Sequence, residues 1–154
     1  EERQQERIRK GKKKETREGI SYSYRLLLSW LIEEPKLFVQ IREWIKPEDF
    51  EEGLYRTVAK ELYDQLDRGD LEPARIIGHF EEVEDQNKVA SMFQTSFGSK
   101  IENDEKKKAI TDLILKIKEH SIERQAGQIT DLNELQKLVQ QKKMLQGAVN
   151  LHIS

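Results

Sequence analysis

Residues 26–50 read LLLSWLIEEPKLFVQIREWIKPEDF, two apolar helical patterns that meet at Pro35 and are closed by Pro47. Leu27, Leu28 and Leu31 share a helical face with Tyr24, and Leu26 and Trp30 widen that stripe until most of the helix is apolar. A helix apolar on most sides is normally surrounded by others, so this one is expected at the centre of a bundle. Pro35 would remove a hydrogen bond inside that helix but suits the first turn of a second, which predicts a corner. The second helix carries Leu37, Phe38, Ile41, Trp44 and Ile45 at three- and four-residue spacing. It is expected to stop before Pro47, which disfavours helical geometry at Lys46. PEDF follows, with Phe50 as the apolar plug of the corner.

The same periodicity continues downstream. EEGLYRTVAKELYDQLDRGD places Leu54, Tyr55, Val58, Leu62 and Leu66 on one stripe, and Gly69 supplies a C-terminal stop. Pro73 can open a short helix with Ile76, Ile77 and Phe80, and Val89, Met92, Phe93 and Phe97 make a fifth stripe ended near Gly98. From Asn103, read as an N-cap, to about Ile129 there is no proline, and apolar residues recur at Ile110, Leu113, Ile114, Ile117, Ile122 and Ala126. Such a helix would reach roughly 40 Å, longer than a small bundle needs. Gly127 and Thr130-Asp131 offer a break, and Asp131 can cap a final helix carrying Leu132, Leu135, Leu138, Val139, Leu145 and Val149. No strand-like alternation of useful length interrupts these patterns. The expected fold is all-α: a compact bundle of about six helices, then a protruding C-terminal helical hairpin. A charged linker is expected over 1–19, the bundle over 20–102 and the long helix with its hairpin over 103–154.

Composition narrows the function classes. A chain of 154 residues has room for one domain, or one with an appended element, but not two enzymatic domains. Apolar and charged residues each make up 36%, the balance of a soluble helical protein with charged outer faces. Residues 1–19 hold eight Lys or Arg against five Glu, a charge of +3, which leaves −5 for the body within the total of −2. A mildly acidic body behind a basic leader is not the pattern of a dedicated nucleic-acid clamp. The Lys12 to Lys14 run reads as a solvated tether, with nucleic-acid contact as the alternative. The absence of cysteine excludes disulfides, thiolate zinc sites and Cys nucleophiles. No run approaches the roughly 18 apolar residues of a membrane span, so a soluble chain without membrane contact is expected, and the lack of cysteine favours an intracellular setting. It opens EERQQERIRK without an initiator Met and is expected to be a piece of a longer polypeptide.

Catalytic signatures do not emerge. His79, His120 and His152 are scattered, with no HExxH arrangement, and are expected at the surface or at helix ends. The carboxylate pairs Glu33-Glu34, Glu48-Asp49, Glu51-Glu52 and Glu81-Glu82 read as solvated faces and partners of helix N-termini rather than acid/base catalysts. Phosphate-binding GxxxxGK[ST], GxGxxG and GxSxG patterns are missing. Trp30 and Trp44 lie in the densest apolar stripes and are read as core, not as platforms for stacked bases. No catalytic residue, metal or cofactor is expected, and elimination leaves a binding module.

A resemblance then gives the module a context. SYRLLLSWLIEEPKLF, IREWIKPEDFEEGLYRTVAKELYDQL and DRGDLEPARIIGHFE, in this order, resemble the C-terminal helicase-binding domain of bacterial DNA primase of the DnaG type. ITDLNELQKLVQQKKMLQGAVNLHIS resembles that domain's last helix, so the likeness covers about residues 20–154. It implies docking onto the N-terminal domain of the replicative DNA helicase, with stimulation of the helicase by the bundle and attachment through the hairpin. It also implies that zinc and magnesium belong to missing N-terminal domains of the parent enzyme, and that this domain makes no direct nucleic-acid contact. The expected helicase contacts are Leu138, Gln141, Lys142, Met144, Leu145 and Val149, several of which must also pack on the preceding helix. Met144 adapts to irregular surfaces and Lys142 interrupts an apolar stripe. Tyr55 and Arg56 mark a possible functional face of the bundle. Two alternatives stand beside this reading: an N-terminal collar domain of the helicase, whose bundle has a similar P.DF...YR pattern, and a single-stranded nucleic-acid-binding domain using Lys12 to Lys14 and Lys106 to Lys108.

Overall fold

The computed structural model describes residues 19–94 and 102–151, and among them the chain is all-helical, without strands. Helix α1 covers 19–33 and is enclosed as its sequence predicts: Tyr24, Leu27, Leu28 and Leu31 have no exposed surface, and Leu26 and Trp30 are nearly buried. Ser29, on the same helix, donates to the Met92 carbonyl at 2.6 Å and ties α1 to a helix more than sixty residues away. The Glu34 amide closes α1 on the Trp30 carbonyl, and Pro35–Leu37 then turns the corner as a short 3-10 helix.

The next element departs from expectation. Helix α2 spans only Phe38–Ile41, a single turn, instead of continuing through Ile45. Beyond it, the Trp44 and Ile45 amides both donate to the Ile41 carbonyl, three and four residues back, so 42–44 is a turn closed on Ile41 rather than a continued helix. Lys46 is extended (φ −108°, ψ 161°), the conformation that Pro47 imposes on its predecessor. Pro47–Asp49 forms a second 3-10 turn, and Phe50 is the buried plug, with its ring centroid 4.9 Å from that of Tyr24. Tyr63 reaches into this corner from the next helix: its hydroxyl donates to the Ile45 carbonyl at 2.7 Å, and its ring meets Phe38 edge-on.

Helix α3 (Leu54–Arg68) ends at Gly69, whose φ of +70° is the left-handed cap that a side chain would strain. The Asp70 amide closes that cap on the Gln65 carbonyl. The buried Gln65 side chain also exchanges two hydrogen bonds with the Glu72 backbone, fixing the turn into α4 (Pro73–Gly78). Helix α5 (Val83–Phe93) packs Val89 and Met92 inward. The 24-residue α6 (Asn103–Ala126) starts one residue earlier than expected, with Glu102 rather than Asn103 at the N-cap. Its Ile110, Leu113, Ile114 and Ile117 are buried at helical spacing, and Lys106 pairs with Glu34 at the end of α1. Asp131 caps α7 (Leu132–Ala148) as predicted, accepting from the Asn133 amide at 2.9 Å.

One apolar cluster extends from Ile20 in α1 through α3, α5 and α6 to Leu145, Val149 and Leu151. The compact helical bundle is therefore assembled from both ends of the described chain. Of the linker expected over 1–19, only Gly19 is among the described residues, and it opens α1; the rest, with Phe97, Gly98 and His152, lies outside them.

Candidate functional site

The face that α7 turns inward follows directly from its spacing. Leu135, Leu138 and Lys142 are half-buried, and Leu145 and Val149 are buried, a seam that advances by three and four residues. From Leu132 to Met144 no side chain is fully buried, so this part of α7 lies at the edge of the molecule. The six predicted contact residues therefore separate. Leu145 and Val149 belong to the core cluster, and Leu138 and Lys142 lie along the seam with α6. Gln141 and Met144 point outward, Met144 with 73% of its surface exposed.

Lys142 interrupts the apolar seam because it has a partner there. Its Nζ lies 2.5 Å from Glu123 Oε1 on α6. That hydrogen bond, with the added attraction of the Glu123 and Glu119 charges, raises the Lys142 pKa above its ordinary value. Around the pair, α6 and α7 enclose an open groove of about 520 Å³. Ile122, Ala126, Leu138 and Val139 form its apolar lining, Glu119 and Glu123 its α6 rim, and Lys142 and Lys143 its α7 rim. Ile122 is buried yet stands outside the main core cluster, so it belongs to the contact between these two helices. Val139 and Leu132, seven residues apart on one side of α7, are 46% and 66% exposed. Sequence reasoning placed Val139 on the apolar stripe of the last helix but did not select it, Lys143 or the two glutamates as contacts. The seven-residue repeat of Leu132 and Val139, falling beside rather than within the seam, was the available signal.

No known protein family, curated protein or solved structure matches this chain.

The other predicted face, on the bundle, has a different character. Arg56 donates to the Phe50 carbonyl at 3.0 Å and the Glu48 carbonyl at 3.3 Å, so its guanidinium holds the PEDF corner. Tyr55 packs on Tyr24 with ring centroids 5.2 Å apart. It also borders a cleft of about 620 Å³ between α1, α3 and α5, with Arg25, Glu84, Lys88 and Met92 on its walls.

Asp49 corrects the reading of Glu48-Asp49 as a solvated pair. Only 3% of Asp49 is exposed, because the 3-10 turn directs its carboxylate inward. There it accepts from the Lys46 amide at 2.8 Å and the Ser121 hydroxyl at 2.7 Å, and lies 3.2 Å from the Lys118 ammonium. Arg124 adds hydrogen bonds to the Glu48 and Asp49 carbonyls. Lys118, Ser121 and Arg124, three residues apart on α6, thus clasp the corner, an arrangement that fastens structure rather than presenting a reactive group. The recurrence of polar residues on an otherwise apolar face of α6 was the sequence signal for it.

The histidines do not converge. His79, at the end of α4, lies 2.8 Å from Glu61, whereas His120 is partly buried in the middle of α6, 3.6 Å from Glu51. Among the described residues no group of three or more His, Asp or Glu could hold a metal ion. No helix among them is long and apolar enough to cross a membrane.

Proposed function

We propose that this chain is the helicase-binding module of a bacterial primase, which docks the enzyme onto the replicative DNA helicase and stimulates the helicase during primer synthesis at the replication fork. The ordered likeness over about residues 20–154 supports the identity of the module. The observation that carries the docking role is α7: its seam is held by α6 and the core, while Val139 and Met144 remain exposed on its outer sides. A helix fastened along one face and open on the others can bind without unfolding.

The module itself performs no chemistry in this reading. It acts in the cytoplasm by tethering: a polymerising domain attached to a ring that moves along DNA meets fresh single strand at high effective concentration, with linker length setting its reach. The helicase's N-terminal collar is the partner. Apolar side chains on α7 supply the contact, and neighbouring Lys and Gln fix register and association rate.

Titration of the chain with the cognate helicase tests this, using Met144→Asp as the first variant. Because Met144 is 73% exposed, the substitution should leave the chain folded, with the thermal midpoint lowered by only a few degrees through the poorer helix propensity of Asp. It should weaken binding by about tenfold, the effect of removing one well-placed apolar contact. A folded wild-type chain that fails to bind the helicase would refute the docking role.

A further inference from the structure

The Glu123–Lys142 pair sits on a groove whose two rims carry opposite charge, acidic on α6 and basic on α7. We propose that this groove receives a single amphipathic helix of the helicase, with basic residues toward the α6 rim and acidic residues toward the α7 rim. The inference rests on the docking role proposed above and specifies its surface and the partner's chemistry.

Three features support a helix as the occupant. Two packed helices leave between them a furrow that a third can fill by ridge-into-groove contact, as in a three-helix bundle. The lining is apolar where such a helix would place its stripe, at Ile122, Leu138 and Val139. The rims are polarised, so the two orientations of an incoming helix are electrostatically unequal, which fixes direction as well as position. The Glu123–Lys142 pair does not obstruct this: both side chains remain substantially exposed, and an exposed pair is readily exchanged for equivalent bonds to a partner.

This groove is not the Met144 side of α7. At about 100° per residue, Val139 and Lys143 lie on one flank of the seam, and Gln141 and Met144 lie on the other. The two flanks can therefore be tested separately.

The experiment exchanges the rim charges in the full chain, Glu123→Lys together with Lys142→Glu, and measures binding to the intact helicase by titration. The exchanged pair can still form within the chain, so helicity and thermal midpoint should be retained while helicase affinity falls by at least about tenfold. If the reversed variant misfolds, Glu123→Gln with Lys142→Gln gives the same reading, with a loss of about threefold expected where repulsion is absent. Equal binding by wild type and folded variant overturns the groove and leaves the docking role intact, most plainly if Met144→Asp still weakens binding. No binding by wild type overturns both. A dimer of the chain alone that helicase cannot disperse also overturns the proposal, since it would assign the groove to a second copy.

Discussion

Asp49 sits where the PEDF corner meets α6, and its burial makes it the most consequential polar residue described. Removing its carboxylate leaves the Lys118 ammonium, about one-fifth exposed, without its partner, and frees Ser121 and the Lys46 amide. Asp49→Ala is therefore expected to destabilise the fold by about 3 kcal/mol, and Ser121→Ala by about 1 kcal/mol. Urea unfolding should register both as lower midpoints at unchanged slope; a loss below about 1 kcal/mol for Asp49→Ala would contradict the clasp. Tyr63 makes a second residue-scale prediction. Burial, with the nearby Asp49 and Glu48 charges adding to it, drives its pKa far above the ordinary tyrosine value of about 10. Between those two values the unfolded chain has lost a proton that the folded chain retains, so stability should fall as pH rises above about 10. Comparing unfolding at pH 8 and pH 11 should show a steeper loss for wild type than for Tyr63→Phe, although the variant starts lower because the Ile45 carbonyl loses its donor. Equal slopes would contradict this account of Tyr63.

Among the elements, α7 has the most divided role. Its Leu145, with Val149 and Leu151 beyond it, is part of the core, whereas residues 132–144 lie against α6 without full burial. Ending the chain after Gln128 removes those three core side chains while leaving α1 to α6 with most of the cluster. The shortened chain should stay helical and unfold cooperatively, with stability reduced by about 4 kcal/mol. Loss of any cooperative transition would show that the bundle cannot stand without α7. At this scale much was legible from sequence, because periodicity directly reports which face is buried. The enclosed α1, the Pro35 corner, the Phe50 plug, the Gly69 stop and the Asp131 cap all appear where their residues predict. What periodicity cannot report is how long a marginal helix persists, so α2 shortens to one turn although Trp44 and Ile45 keep the apolar spacing. Nor can it pair polar residues distant in sequence: Asp49 with Ser121 and Lys118, or Glu123 with Lys142, become neighbours only through tertiary packing.

For the molecule as a whole, the described residues make a helical platform whose polar clasp fixes the PEDF corner and whose last helix presents open faces at its edge. The candidate surface was only partly readable. The apolar stripe marked α7 without separating the residues that attach the helix from those that remain open: Leu145 and Val149 lie in the core, whereas Met144 is exposed. The proposal that this platform docks a primase onto its helicase is tested most directly by titrating the folded chain into the cognate replicative helicase. We expect saturable binding that disappears when the chain ends after Gln128 although the shortened bundle remains folded; no binding by the full chain, or undiminished binding by the shortened one, would contradict the central claim.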